Sequence, residues 1–114
     1  MKLKTVFSAF TIPGAVFLIG MAASAAADVP AVTLAVEDGG FAPAEIEAPA
    51  GARLRVDVTN HTTAAMEFES FDLNRERVVQ PGQTVAVYLS GLAPGRYEFF
   101  DDFHHERRGT LVVK

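Results

Sequence analysis

Arg53-Leu54-Arg55-Val56-Asp57-Val58-Thr59 alternates apolar and polar side chains without a break. Successive side chains of a strand point to opposite faces, so this segment reads as a strand with one buried and one wet face. Outward from it, Val85, Val87 and Leu89 repeat the same period, and Val32-Thr33-Leu34-Ala35-Val36 and the stretch from Gly109 to Val113 read as further strands. Asp38-Gly39-Gly40, Pro49-Ala50-Gly51, Pro81-Gly82 and Pro94-Gly95 punctuate them as turns. Short strands with turns at about ten-residue intervals predict an all-β Greek-key sandwich of about seven strands, without a helix longer than about two turns.

The first 27 residues read as an address, not as part of the fold. Lys2 and Lys4 precede an apolar run from Val6 to Met21, and Ala25-Ala26-Ala27 offers a small-residue cleavage site, with Ala23-Ser24-Ala25 as the alternative. The run is short for a membrane span, which needs about 20 apolar residues. A cleaved secretory signal peptide over 1–27 and an exported domain over 28–114 are therefore expected. The domain keeps 8 basic and 14 acidic residues, a net charge of −6 with His neutral. That balance argues against nucleic acid and anionic lipid and suits cations. No Cys is present, so neither a lipid-anchored cysteine nor a disulfide is available. The core must hold the fold alone, and Phe41, Phe68, Phe71, Tyr97, Phe99, Phe100 and Phe103 are its expected large members.

Phe41-x-Pro43-x-x-Ile46-x-x-Pro49-x-Gly51, Leu54-x-Val56-x-Val58-x-Asn60, Pro81-Gly82, Pro94-Gly95-x-Tyr97-x-Phe99 and Gly109-x-Leu111-x-Val113 follow one another in an order that resembles a cupredoxin. The likeness covers essentially the whole chain after the signal. More narrowly, Glu67-Phe68-Glu69-Ser70 and Phe99-Phe100-Asp101-Asp102-Phe103-His104 resemble the EfeO-type cupredoxin-like proteins of high-affinity iron permease systems. That resemblance implies a periplasmic location, iron or copper as the bound ion and a membrane iron permease as the partner. It also exposes a departure. Blue-copper cupredoxins read Tyr-x-Phe-x-Cys-x-x-His with a Met ligand beyond. Here Asp101 takes the Cys position, His104 the His position, Arg107 falls near the Met, and Met66 takes the upstream His position. Without a thiolate, a type 1 copper centre cannot form.

The residues in its place suggest harder chemistry. Tyr97, Phe99 and Asp101 share a strand face, so Asp101 points inward if the aromatics do. A carboxylate there needs a proton, a partner or a cation. Glu67 and Glu69 share the opposite face from Met66 and Phe68, about 7 Å apart at ~3.3 Å per residue. Glu67, Glu69, Asp101, Asp102 and His104 are the candidate metal ligands, an oxygen and nitrogen set suited to iron, manganese, zinc or copper(II). Each has a plainer alternative. Asp101 can cap a turn or pair with Arg107 or Arg108, and the two Glu can pair with Arg75 or Arg77. His105 and His61 read as surface residues, and Met66 as a core filler. No phosphate loop, nucleophile elbow or thiol is present, so any catalysis would be metal redox chemistry, such as oxidation of Fe(II) before uptake. A metal-free cupredoxin-like interaction module of the permease is the alternative function.

Overall fold

The computed structural model describes residues 29–114; the expected signal segment lies outside the described residues. Nine strands follow in order: β1 Ala31–Glu37, β2 Gly40–Ala42, β3 Glu45–Ala48, β4 Arg53–Asn60, β5 Met66–Ser70, β6 Arg75–Val79, β7 Thr84–Ser90, β8 Gly95–Asp101 and β9 His104–Val113. No helix occurs among the described residues. One sheet runs β2-β1-β4-β7 and the other β3-β9-β8-β5-β6. Neighbours are antiparallel except β1 with β4 and β3 with β9, which are parallel. The count exceeds the expected seven because β2 is a three-residue hairpin arm on β1, and because β6 hides its strand character behind Arg75-Glu76-Arg77.

Alternation decides what is buried. Leu54, Val56 and Val58 of β4 face Phe68, Phe99 and Leu111 of the other sheet, and all six are buried. Phe99 sits at the centre, edge-on to Phe41 at 5.0 Å and stacked on Phe68 at 5.3 Å. Each such side chain contributes about 1.5–3 kcal/mol by leaving water. Two expected core members are not there. Phe71 is 79% exposed and Phe103 51% exposed, because both lie in turns, where no strand face directs them inward.

Two features of the frame place the site. The sandwich is closed along one side by β6 and β7, an edge strand from each sheet. Arg75 Nε donates to the Tyr88 carbonyl at 3.2 Å, and Arg77 Nη1 to the Ala86 carbonyl at 2.8 Å. Both arginines thus turn into the gap between the sheets and satisfy edge carbonyls of β7. The second feature is the seam between β5 and β8, which pair only at Phe68 with Asp101 and Glu69 with Phe100. Side chains extend it at both ends. Ser70 Oγ donates to the Glu98 carbonyl at 2.6 Å, and Glu98 N–H donates to Asp72 Oδ2 at 2.8 Å. At the other end Glu67 N–H donates to Asp101 Oδ1 at 3.1 Å.

Gly109 shows how tightly β8 and β9 are packed. A Cβ there would overlap the Phe99 ring and stand 2.9 Å from the Ala44 carbonyl oxygen. Gly109→Ala should therefore cost about 1–3 kcal/mol by overpacking. Urea denaturation checks it: the midpoint falls while the slope stays unchanged, because the exposed surface of unfolding is the same.

Candidate functional site

The end of β8 holds the one carboxylate among the described residues with no exposed surface. Asp101 is 0% exposed and follows Tyr97 and Phe99 on the inward face, as the alternation requires. Its Oδ1 accepts from Glu67 N–H at 3.1 Å and Phe103 N–H at 2.9 Å. Its Oδ2 accepts from Arg107 Nη1 at 3.0 Å. His104 Nδ1 lies 3.4 Å from the same Oδ2 and makes no hydrogen bond. The local register shifts between Phe100 and Asp101, a bulge that ends the regular ladder where the side-chain network begins. A buried charge needs both a countercharge and filled lone pairs, and Asp101 has both.

A different set of acids meets on the outer face of the same sheet. Glu69 of β5 stands directly opposite Glu76 of β6, and Glu67 is opposite Val78. One oxygen from each of Glu67, Glu69 and Glu76 lies within 4.8 Å of the others. Like charges directly opposed on a sheet repel. Among the described residues no Lys, Arg or His pairs with any of the three. Arg75 and Arg77, the partners expected on charge alone, point through to β7 instead. Arg108, on the same outer face, lies 5.0 Å over the Phe100 ring and bonds the His105 carbonyl at 3.3 Å.

The electrostatic result falls mainly on Glu67, which is 9% exposed. Burial, then the hydrogen bond and charge of Glu76, then those of Asp102, push its pKa up to about 7 from an ordinary 4.5. Burial and the charges of Glu76 and Asp102 also raise Glu69. Asp102 stands at the rim: its N–H donates to the Glu67 carbonyl at 2.9 Å and its carboxylate meets His105 Nε2 at 2.9 Å.

The structure thus sorts the five expected ligands into two groups. Glu67 and Glu69 gather on the outer face with Asp102 beside them, whereas Asp101 and His104 belong to the inward cluster with Arg107. Strand parity separates them, since Phe68, not Glu67, shares a face with Asp101. Glu76 completes the outer trio and is absent from the sequence reading. A hairpin register carried from Ser70 opposite Arg75 would have placed it facing Glu69. His61 and His105 are exposed, paired with Glu37 and Asp102, and Met66 is fully buried, as expected.

Residues 10–113 match the Cupredoxin-like domain family. The chain belongs to that family. An uncharacterised protein of Rickettsia prowazekii (strain Madrid E) is 36% identical over 83 residues, which make up 72% of this chain and 66% of that relative's own length. Solved structures share the sandwich at lower identity. The metal-binding domain of the Cu(I)-exporting P-type ATPase of Streptococcus pneumoniae, solved with Cu(I), has a TM-score of 0.65 at 15% identity, covering 74% of this chain and 84% of that one. A purple cupredoxin from Nitrosopumilus maritimus gives 0.58 at 20%, covering 72% and 98%. Amicyanin from Paracoccus versutus gives 0.58 at 23%, covering 78% and 88%. These likenesses establish an all-β cupredoxin-like sandwich.

A type 1 copper ion does not fit this member of the family. The chain has no thiolate to offer it. The residue at the cysteine position is a carboxylate already bonded by a guanidinium at 3.0 Å. That guanidinium already meets the charge of the Asp101 carboxylate, so the carboxylate is not free to serve a copper ion as the thiolate would.

The raised pKa of Glu67 has a measurable consequence. A carboxyl that holds its proton more tightly folded than unfolded stabilises the fold fully below about pH 4.5. That contribution is lost as pH rises through about 7. Glu67→Gln keeps the protonated shape at every pH. In cation-free buffer its melting temperature should match wild type near pH 4.5 and exceed it by a few degrees, roughly, at pH 8. A difference independent of pH would contradict the assignment.

Proposed function

We propose that this protein is a cation-binding cupredoxin-like module whose metal site is the outer-face trio Glu67, Glu69 and Glu76, with Asp102 at its rim. The observation that carries the reading is the convergence of three carboxylate oxygens within 4.8 Å, with no cation pairing with them among the described residues. Their cost is offset only by protons or by a metal ion. An all-oxygen set is hard. It favours Fe(III), Fe(II) and Mn(II) over Cu(I), although the general order of affinities keeps Cu(II) a competitor. We assign iron as the cargo, with copper(II) second, and a membrane iron permease as the acceptor. The resemblance of Glu67-Phe68-Glu69-Ser70 and Phe99-Phe100-Asp101-Asp102-Phe103-His104 to permease-associated proteins supports this. The signal-like stretch from Lys2 to Ala27 supports a periplasmic location.

A second reading has its own observation. The Asp101–Arg107 pair neutralises the inner centre without a metal, which favours a metal-free module that binds the permease complex. Calorimetric titration with Fe(II) under anaerobic conditions, Fe(III), Mn(II) and Cu(II) separates the two. The metal reading expects one ion per chain. It expects a loss of tenfold or more in affinity, about 1.4 kcal/mol, in Glu69→Gln and in Glu76→Gln. It expects His104→Ala to bind like wild type. No heat with any ion, from protein that melts cooperatively, would leave the metal-free module.

A further inference from the structure

The inner cluster is too costly to be incidental. Asp101 and Arg107 are 0% and 7% exposed, and the cluster also leaves Arg107 Nε and His104 Nδ1 buried without hydrogen-bond partners. Two buried charges are seldom kept for stability alone, because an apolar pair of similar volume often does as well. What the pair does locally is specific. Regular pairing between β5 and β8 stops at Phe68 and Asp101. Glu67 lies one residue beyond that last pair. Its N–H is held by Asp101 Oδ1 and its carbonyl by Asp102 N–H, so the β8–β9 turn grips both sides of one residue. Asp101 Oδ1 also accepts Phe103 N–H, which ties that turn to itself. Arg107, one turn of chain later on β9, fixes the carboxylate through Oδ2 at 3.0 Å. Lacking that guanidinium, Asp101 would be an unpaired buried charge and would have to take a proton or leave the interior.

We propose that Asp101 and Arg107 are the positioning element of the outer carboxylate site, the Arg107 guanidinium serving as the fixed countercharge that keeps the Asp101 carboxylate in place. The proposal rests on the reading that Glu67, Glu69 and Glu76 bind a metal ion. The inner pair binds no substrate. It holds the Glu67 backbone so that its side chain, on the opposite face, meets Glu69 and Glu76. Glu69 needs no such support, because its backbone is paired with β6 on one side and with Phe100 of β8 on the other.

The test measures Mn(II) affinity by calorimetry and amide hydrogen exchange by NMR on the purified protein. Arg107→Met should weaken Mn(II) binding about 10–100-fold, the usual effect of removing a group that orients a ligand. Arg107→Lys, which restores a donor and a charge, should recover at least part of that loss. Val87→Ala, a truncation in the core of the other sheet, lowers stability without touching this cluster and should bind within about twofold of wild type. Without metal, exchange of the Glu67 amide should speed up at least tenfold in Arg107→Met relative to the Val56 amide of β4. Should Arg107→Met fail to fold, Arg107→Gln takes its place with the same direction of change. Unchanged Mn(II) affinity in the Arg107 variant, or an equal loss in Val87→Ala, would overturn the positioning role and leave the metal reading standing. Wild-type protein that takes up no Mn(II), Fe(II) or Fe(III) would overturn both.

Discussion

A carboxylate without exposed surface sits at the open end of β8, and much of the surrounding structure answers to it. Asp101 cannot remain ionised in that position unless its oxygens are filled and its charge is met. Two backbone amides and one guanidinium do this. The amides come from β5 and from the β8–β9 turn, so the act of satisfying one side chain stitches the short β5–β8 seam. Hydrogen bonds to a charged group are worth roughly 1.5–3 kcal/mol each, more than a neutral ladder bond. At the far end of the seam Ser70 and Asp72 do the same work with neutral and exposed groups. The seam therefore depends on side chains at both ends because backbone pairing spans only two positions.

The cations of the domain are placed by parity. Arg75 and Arg77 fall on the inward side of β6 and bridge the gap to β7, leaving Glu76 facing out. Arg107 falls inward on β9 with Gly109, Leu111 and Val113, while Arg108 falls outward onto Phe100. One consequence is that every arginine near the outer trio is committed elsewhere. Among the described residues the acids there are left without a pairing cation, although Arg75 and Arg77 flank Glu76 in the sequence.

The fold was legible because Arg53 to Thr59 and its repeats alternate cleanly, and alternation survives any detail of packing. The inward turn of Asp101 was legible for the same reason, from Tyr97 and Phe99. Its partner stayed open between Arg107 and Arg108 in the sequence, although the inward parity of β9, counted back by twos from Val113, selects Arg107. The outer trio was only half legible. Glu67 and Glu69 stand out beside Met66 and Phe68, but Arg75-Glu76-Arg77-Val78-Val79 carries no apolar alternation to mark it as a strand, so Glu76 had no assigned face. Phe71 and Phe103 misled because size and apolarity say nothing about direction in a turn. Nor did spacing along the chain show that Glu67 and Asp101, hydrogen-bonded through a backbone amide, would put their carboxylates on opposite faces of one sheet.

Two neighbouring acids thus illustrate two ways to keep a carboxylate in a sheet. Asp101 has a guanidinium, which cannot leave and does not deprotonate. Its neutralisation is permanent, and permanence suits a group that fixes backbone. Glu67 is almost as enclosed but faces two other acids, and its answer near neutral pH is a proton. A proton held with a pKa of about 7 is exchangeable. An incoming cation near neutral pH has only that proton to displace there, so binding is opposed by a weak competitor. Had Arg75 or Arg77 faced outward, the trio would be neutralised as Asp101 is, and closed to any ion. The direction of two side chains on an edge strand thereby decides which cluster of acids serves the fold and which is free to bind.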